Sequence, residues 1–245
     1  MNVLKSELTK LLTLRSTWIT FAIAILLMQI PVLVQGFVGT ETQDISISGA
    51  LVADMLFALI MTYFGAAIGR DLNFKLHAQA MLTQPSRGSW IFARMFWMNL
   101  FAFLGLVVVV ALSAIIATIM PDLHFQTEGW ESFGTAALKT LTMLNLGMGF
   151  AMLTRSTAAG VSIPLALALV VDNLLYVASM KFEFVKYLML ISPTMRAGQF
   201  GVDNGEARGF EVGQYQPDWF NAIVMLVWLA LMIALALWSN KRDVR

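Results

Sequence analysis

Three long stretches of the chain carry no charged residue at all: 16–40, 95–121 and 219–240. Each is long enough to cross the roughly 30 Å hydrocarbon core of a bilayer as a helix, which takes about 20 apolar residues and satisfies every backbone amide internally. Three further apolar stretches are each broken by a single charge: 45–69 by Asp54, 132–154 by Lys139 and 156–180 by Asp172. The pattern predicts an all-α integral membrane protein with six transmembrane helices. It forms one domain over 1–245, with spans at about 16–38, 46–69, 95–120, 132–154, 157–180 and 219–240.

Between and before the spans, three segments have a pattern of their own. In 1–15, Val3, Leu4, Leu8, Leu11, Leu12 and Leu14 fall on one half of a helical wheel, with Lys5, Ser6, Thr9 and Lys10 opposite. That is an amphipathic helix suited to lying on the inner leaflet. Glu7 falls inside the apolar arc; it either pairs with Lys10 one turn on or meets another protein surface. The connection 70–94 is longer than a turn between neighbouring helices needs. Leu72, Leu76, Ala80 and Leu82 allow a short helix there, which Pro85-Ser86-Arg87-Gly88 ends. The segment 181–218 opens with a helical pattern to Ser192, too short to cross, so a re-entrant or surface helix is expected. It continues as a Gly-rich loop through Gly198, Gly201, Gly205, Gly209 and Gly213.

Charge then sets the orientation. With six spans both termini share a side, and that side holds Lys5, Lys10, Arg15, Arg70, Lys75, Arg87, Arg94, Arg155, Lys241, Arg242 and Arg245. The other side holds Lys181, Lys186, Arg196 and Arg208. By the positive-inside rule both termini are cytoplasmic, in a multi-pass protein of the cell membrane. The first apolar run is too long for a signal peptide and stays as an anchor. Composition agrees: 58% hydrophobic and 13% charged residues with mean hydropathy +0.74 exclude an ordinary soluble globule. A net charge of +1 offers no field for nucleic acid. Without cysteine, and with only His77 and His124, no zinc constellation is expected.

No phosphate-cradling G-x-x-x-x-G-K-[ST] loop, G-x-G-x-x-G or H-E-x-x-H occurs, so the chain is not expected to be an enzyme or to hydrolyse ATP itself. The unusual chemistry is charge within the spans, where an ionisable group costs a few kcal/mol unless paired or hydrated. Counting along each span places Asp54, Lys139 and Asp172 at a similar depth. Lys139 is expected to pair with Asp172, with Asp54 nearby, either as a structural pair or as part of a substrate path. Gln29, Gln35, Asn99 and Asn145 can line a pathway or simply bond between helices. Gly65 and Gly69 form a G-x-x-x-G that permits close helix contact, and Pro31 and Pro164 are expected to kink their helices.

The start Leu4-Lys5-Ser6-Glu7-Leu8-Thr9-Lys10-Leu11, followed by Arg15-Ser16-Thr17-Trp18, resembles the permease subunits of type 2 ATP-binding-cassette exporters. So do Pro85-Ser86-Arg87-Gly88 with Ile91-Phe92-Ala93-Arg94, similar to the end of that family's coupling loop, and Leu153-Thr154-Arg155-Ser156-Thr157-Ala158-Ala159-Gly160, similar to its link between spans four and five. Lys75-Leu76 stand where the family commonly has Gly-Thr. The resemblance implies a dimer, of identical or different permease subunits, forming the substrate path in contact with membrane lipid. It implies separate nucleotide-binding ATPase subunits that carry ATP and Mg, with no cofactor on this chain. Glu7, Asp71, Lys75, His77, Pro85 and Arg87 would then form the ATPase-coupling surface, with 70–94 as the coupling loop and 181–218 as the external loop. The alternative is a stand-alone secondary transporter or channel that uses Asp54, Lys139 and Asp172 as a relay.

Overall fold

The computed structural model of the chain describes residues 2–38, 43–73, 89–201 and 216–242. The amphipathic start folds as α1 (Asn2–Thr13) and turns at Leu14 into α2 (Arg15–Val38), the first apolar helix. After it come a short strand β1 (Gln43–Ser46) and a single helical turn α3 (Ile47–Ala50). The Ser46 hydroxyl caps α3 by accepting from the Gly49 amide at 3.3 Å. Next are α4 (Asp54–Ala66) and α5 (Ile68–Asn73), which together make the second apolar span with a break at Ala67.

The third span is α6 (Ser89–Ile119), and it leads into β2 (Leu123–Gln126). Then come α7 (Trp130–Thr154) and α8 (Thr157–Ala166). A π-helical segment at Leu167–Val171 continues α8 into α9 (Asp172–Ser179). Two short helices follow, α10 (Glu183–Ile191) and α11 (Pro193–Gln199), and α12 (Asp218–Arg242) ends the described chain. Six helical spans are long and apolar enough to cross a membrane: 15–38, 54–73, 89–119, 130–154, 157–179 and 218–239. The chain is a mostly helical membrane protein.

Two boundaries differ from the sequence reading. The second span begins at Asp54 rather than near 46, because β1 pairs in parallel with β2, Gln43 opposite Leu123 through Ser46 opposite Gln126. Alternation in 43–46 and 123–126 buries Ile45 and Leu123 against Val32 and Ala117, so the apolar character there belongs to a small sheet at one end of the bundle. The third span begins at Ser89 rather than 95, which places Arg94 inside the helix, one turn from its start.

Helix α7 is the centre. In its most apolar window 72% of residues are buried, against 11% for the fifth span and 22% for the sixth. It is surrounded by α4, α8 and α12. Close approach to α4 depends on glycine: a Cβ on Gly65 would collide with the Leu144 carbonyl, and one on Gly147 with the Thr62 carbonyl. The Gly65-x-x-x-Gly69 pair packs within the subunit, Gly69 lying against the start of α8 at Thr157. Polar groups inside the bundle bond between helices. Gln29 donates to the Val109 carbonyl at 3.1 Å and accepts from Ser113 at 2.9 Å, and Asn145 donates to Asn99 at 2.7 Å. At Pro164, whose ring removes one amide donor, the helix continues into the five-residue π segment.

Candidate functional site

The densest ionic cluster joins α1 to the two helices that flank 74–88. Glu7 and Leu11 are four residues apart and share the buried face of α1, which packs on α6. Glu7 pairs with Arg94 (Oε2 to Nη1, 3.4 Å), and Arg94 reaches Asp71 with its other terminal nitrogen (3.5 Å). Asp71 in turn accepts from Lys10 at 2.7 Å. The Trp97 indole donates to the Leu4 carbonyl at 2.9 Å and fastens the same face.

Arg94 is 1% exposed and Asp71 3%, so the junction replaces water as the solvation of Glu7, Asp71 and Arg94, while Lys10 closes it from its partly exposed rim. Glu7 is therefore neither a partner of Lys10 nor displayed to another protein. The acidic position that interrupts the apolar arc of α1 marks the seam where it meets α6. Asp71 is likewise turned inward, so its expected place on a docking surface is replaced by one in the joint behind it. Lys75, His77, Pro85 and Arg87 lie outside the described residues.

A second pair lies toward the sheet end. Lys139 Nζ meets Asp54 Oδ2 at 2.8 Å, with both side chains largely buried. The expected pairing of Lys139 with Asp172 is not what forms. The second and fourth spans run parallel, so residues 85 positions apart come level: Asp54 beside Lys139, as Thr62 is beside Gly147. Asp54 stands in the first turn of α4 rather than about nine residues into the span, and there the helix dipole also favours an anion.

Asp172 has other partners. Immediately after the π segment, its two oxygens accept from the Ser192 hydroxyl at 2.6 Å and the Thr194 hydroxyl at 2.5 Å. Ser192 also caps α11. Next to them Arg196, 0% exposed, donates to Asn221 of α12 at 3.2 Å, while its Nε and Nη2 have no hydrogen-bond partner among the described residues. Burial lowers the Arg196 pKa to about 10, opposed by the nearby Asp172 charge, so the guanidinium stays protonated at neutral pH. This cluster ties the fifth span through α11 to the sixth.

The three expected path residues thus divide between two clusters, and no hydrogen bond or ion pair joins those clusters among the described residues. The partners that sequence reasoning missed are Lys10, Arg94, Ser192, Thr194, Arg196 and Asn221. Arg94 had a usable signal: it sits among Ile91, Met95 and Met98 at helical spacing, a buried stripe that an arginine joins only with carboxylate partners. Among the described residues no three His, Cys, Asp or Glu side chains converge as a metal site. No protein-family model matches the chain, and no curated protein matches it.

Proposed function

We propose that the chain is the transmembrane permease subunit of an ATP-driven exporter, a type 2 ATP-binding-cassette system. It works as a dimer in the cell membrane with both termini cytoplasmic, and separate nucleotide-binding subunits hydrolyse ATP with Mg. The observation that carries this reading is the α1 junction. The segment that resembles a coupling loop, 70–94, holds Asp71 near its start and Arg94 at its end, and both residues are bonded to α1.

A push on that segment reaches α1, α5 and α6 together through the ion pairs of the junction, of which the Arg94 pairs are buried. It then passes to α7 through the close α4–α7 contact, exchanging two arrangements of the bundle. The fifth span, with Leu169, Val170, Leu174 and Val177 exposed, offers an apolar face for the second permease subunit.

The rival reading, a stand-alone transporter or channel, draws on the buried charges at Asp54, Lys139 and Asp172. Their separation into two clusters, each with its own partners, favours structural roles for them. The test is purification of the tagged full chain from its native membranes in mild detergent. The expected result is a stoichiometric chain bearing a phosphate-binding loop, and ATP hydrolysis that the permease alone does not show. A permease that purifies alone and conducts ions or protons in liposomes without nucleotide would overturn the proposal.

A further inference from the structure

Beside the α1 junction a cavity of about 160 Å³ opens, lined by Ser16, Thr17, Tyr63, Arg70, Arg94 and Thr157 among its polar residues. A cavity of about 150 Å³ admits a guest the size of benzene, so a phosphate group fits. Its lining contains no Asp or Glu. Ser16 and Thr17 belong to the first turn of α2, and Thr157 begins α8, so two helix N-termini with their partial positive charge border the space. Arg94 is buried with its Nε unpartnered among the described residues. In the neighbouring junction two acids, Glu7 and Asp71, balance two bases, Lys10 and Arg94. No ion pair joins Arg70, at the cavity mouth, to a carboxylate among the described residues.

Ser16 and Tyr63 also border a wider groove, whose remaining walls include Ile19, Ile23, Leu56, Ile60, Val161 and Leu165 from α2, α4 and α8. From Ser16 to Ile23 the groove follows α2 for about 10 Å at 1.5 Å per residue, away from the cationic end and toward the membrane interior. Cavity and groove share Ser16, Thr20 and Tyr63 as a common wall, with the cationic lining on one side and apolar side chains along the other. The geometry points to a binding site for one anionic membrane lipid, with its phosphate in the Arg70/Arg94 cavity and an acyl chain along the groove between α2, α4 and α8.

An inorganic anion matches the cavity but leaves the groove bare. A second copy of this chain covers the groove with apolar side chains but offers no anion to the donors. A lipid with a phosphate head satisfies both ends. The inference rests on membrane insertion and is independent of ATP coupling.

The experiment is a native mass spectrometry titration of the full chain in detergent with dioleoyl phosphatidylglycerol, dioleoylglycerol and inorganic phosphate. Arg70→Gln removes the cation at the cavity mouth, and Ile19→Trp fills the groove; both positions are exposed, so folding is preserved. Phosphatidylglycerol is expected to bind as a single molecule about tenfold tighter than dioleoylglycerol, and each variant to weaken it about fivefold or more. Equal binding of the charged and neutral lipids, or unchanged binding in both variants, overturns the site. Displacement of the lipid by phosphate alone would reduce it to a free-anion site. Disulfide-linked dimers of Ile23→Cys formed in the presence of the lipid would assign the groove to a second copy.

Discussion

At Lys139 and Asp54 a buried pair at 2.8 Å separates two effects that single substitutions confuse. Removing one partner strands a charge in a poorly hydrated place, at a cost of about 3 to 5 kcal/mol, whereas removing both leaves a shape that apolar packing can fill. Lys139→Met alone is therefore expected to lower the melting temperature markedly, and Asp54→Asn with Lys139→Met to recover most of the loss. A double variant no more stable than the single would show that the pair is not a closed unit. The presence of these charges was legible in the sequence because each breaks an otherwise uncharged run. Their partners were not, since counting depth along each span ignores which spans are parallel neighbours. Asp172 shows the same limit: its hydroxyl partners Ser192 and Thr194 lie twenty and twenty-two positions away, where two short helices meet, and uncharged hydroxyls leave no mark in the charge spacing.

Among the elements, α7 and α4 set the geometry of the rest. Their contact has carbonyls where side chains would stand, so an added methyl meets rigid backbone rather than a flexible neighbour. Gly65→Ala is expected to destabilise the bundle by about 1 to 3 kcal/mol, read as an earlier loss of helicity on thermal or SDS unfolding. Gly134→Ala, where an added Cβ meets nothing within 4 Å, is the control and is expected to have no such effect. Equal losses at both positions would refute the close crossing. Six apolar spans could be read from charge spacing, as could the amphipathic face of α1. The sheet of β1 and β2 could not, because two four-residue strands gain their stability from each other across about eighty residues, and neither has a strong pattern alone. The early start of α6 was hidden by Arg94, taken as a boundary because an arginine normally is one. Here Glu7 and Asp71 make it an interior residue.

For the whole molecule, burial is unequal in a way that a lone bundle does not explain. The fourth span is enclosed while the fifth buries few of its residues, and the outward face of α8 and α9, with Leu169, Val170, Leu174 and Val177, is left for lipid or another subunit. At one end of the molecule α1, α5 and α6 are locked by four charges around the ends of 74–88; at the other, the sheet and the Lys139–Asp54 pair close the bundle. Under the proposed function, force applied at the first end changes the second. The direct measurement uses Gly134→Cys, on an open position near the sheet end of α7, in the complex with a separate ATPase that the proposed function requires. Its thiol-labelling rate is compared with and without ATP plus vanadate, and again with Arg94→Gln added. The account predicts a rate that shifts severalfold on nucleotide trapping, with the shift lost in Arg94→Gln while ATP hydrolysis persists. A rate indifferent to nucleotide, or a shift that survives Arg94→Gln, would contradict it.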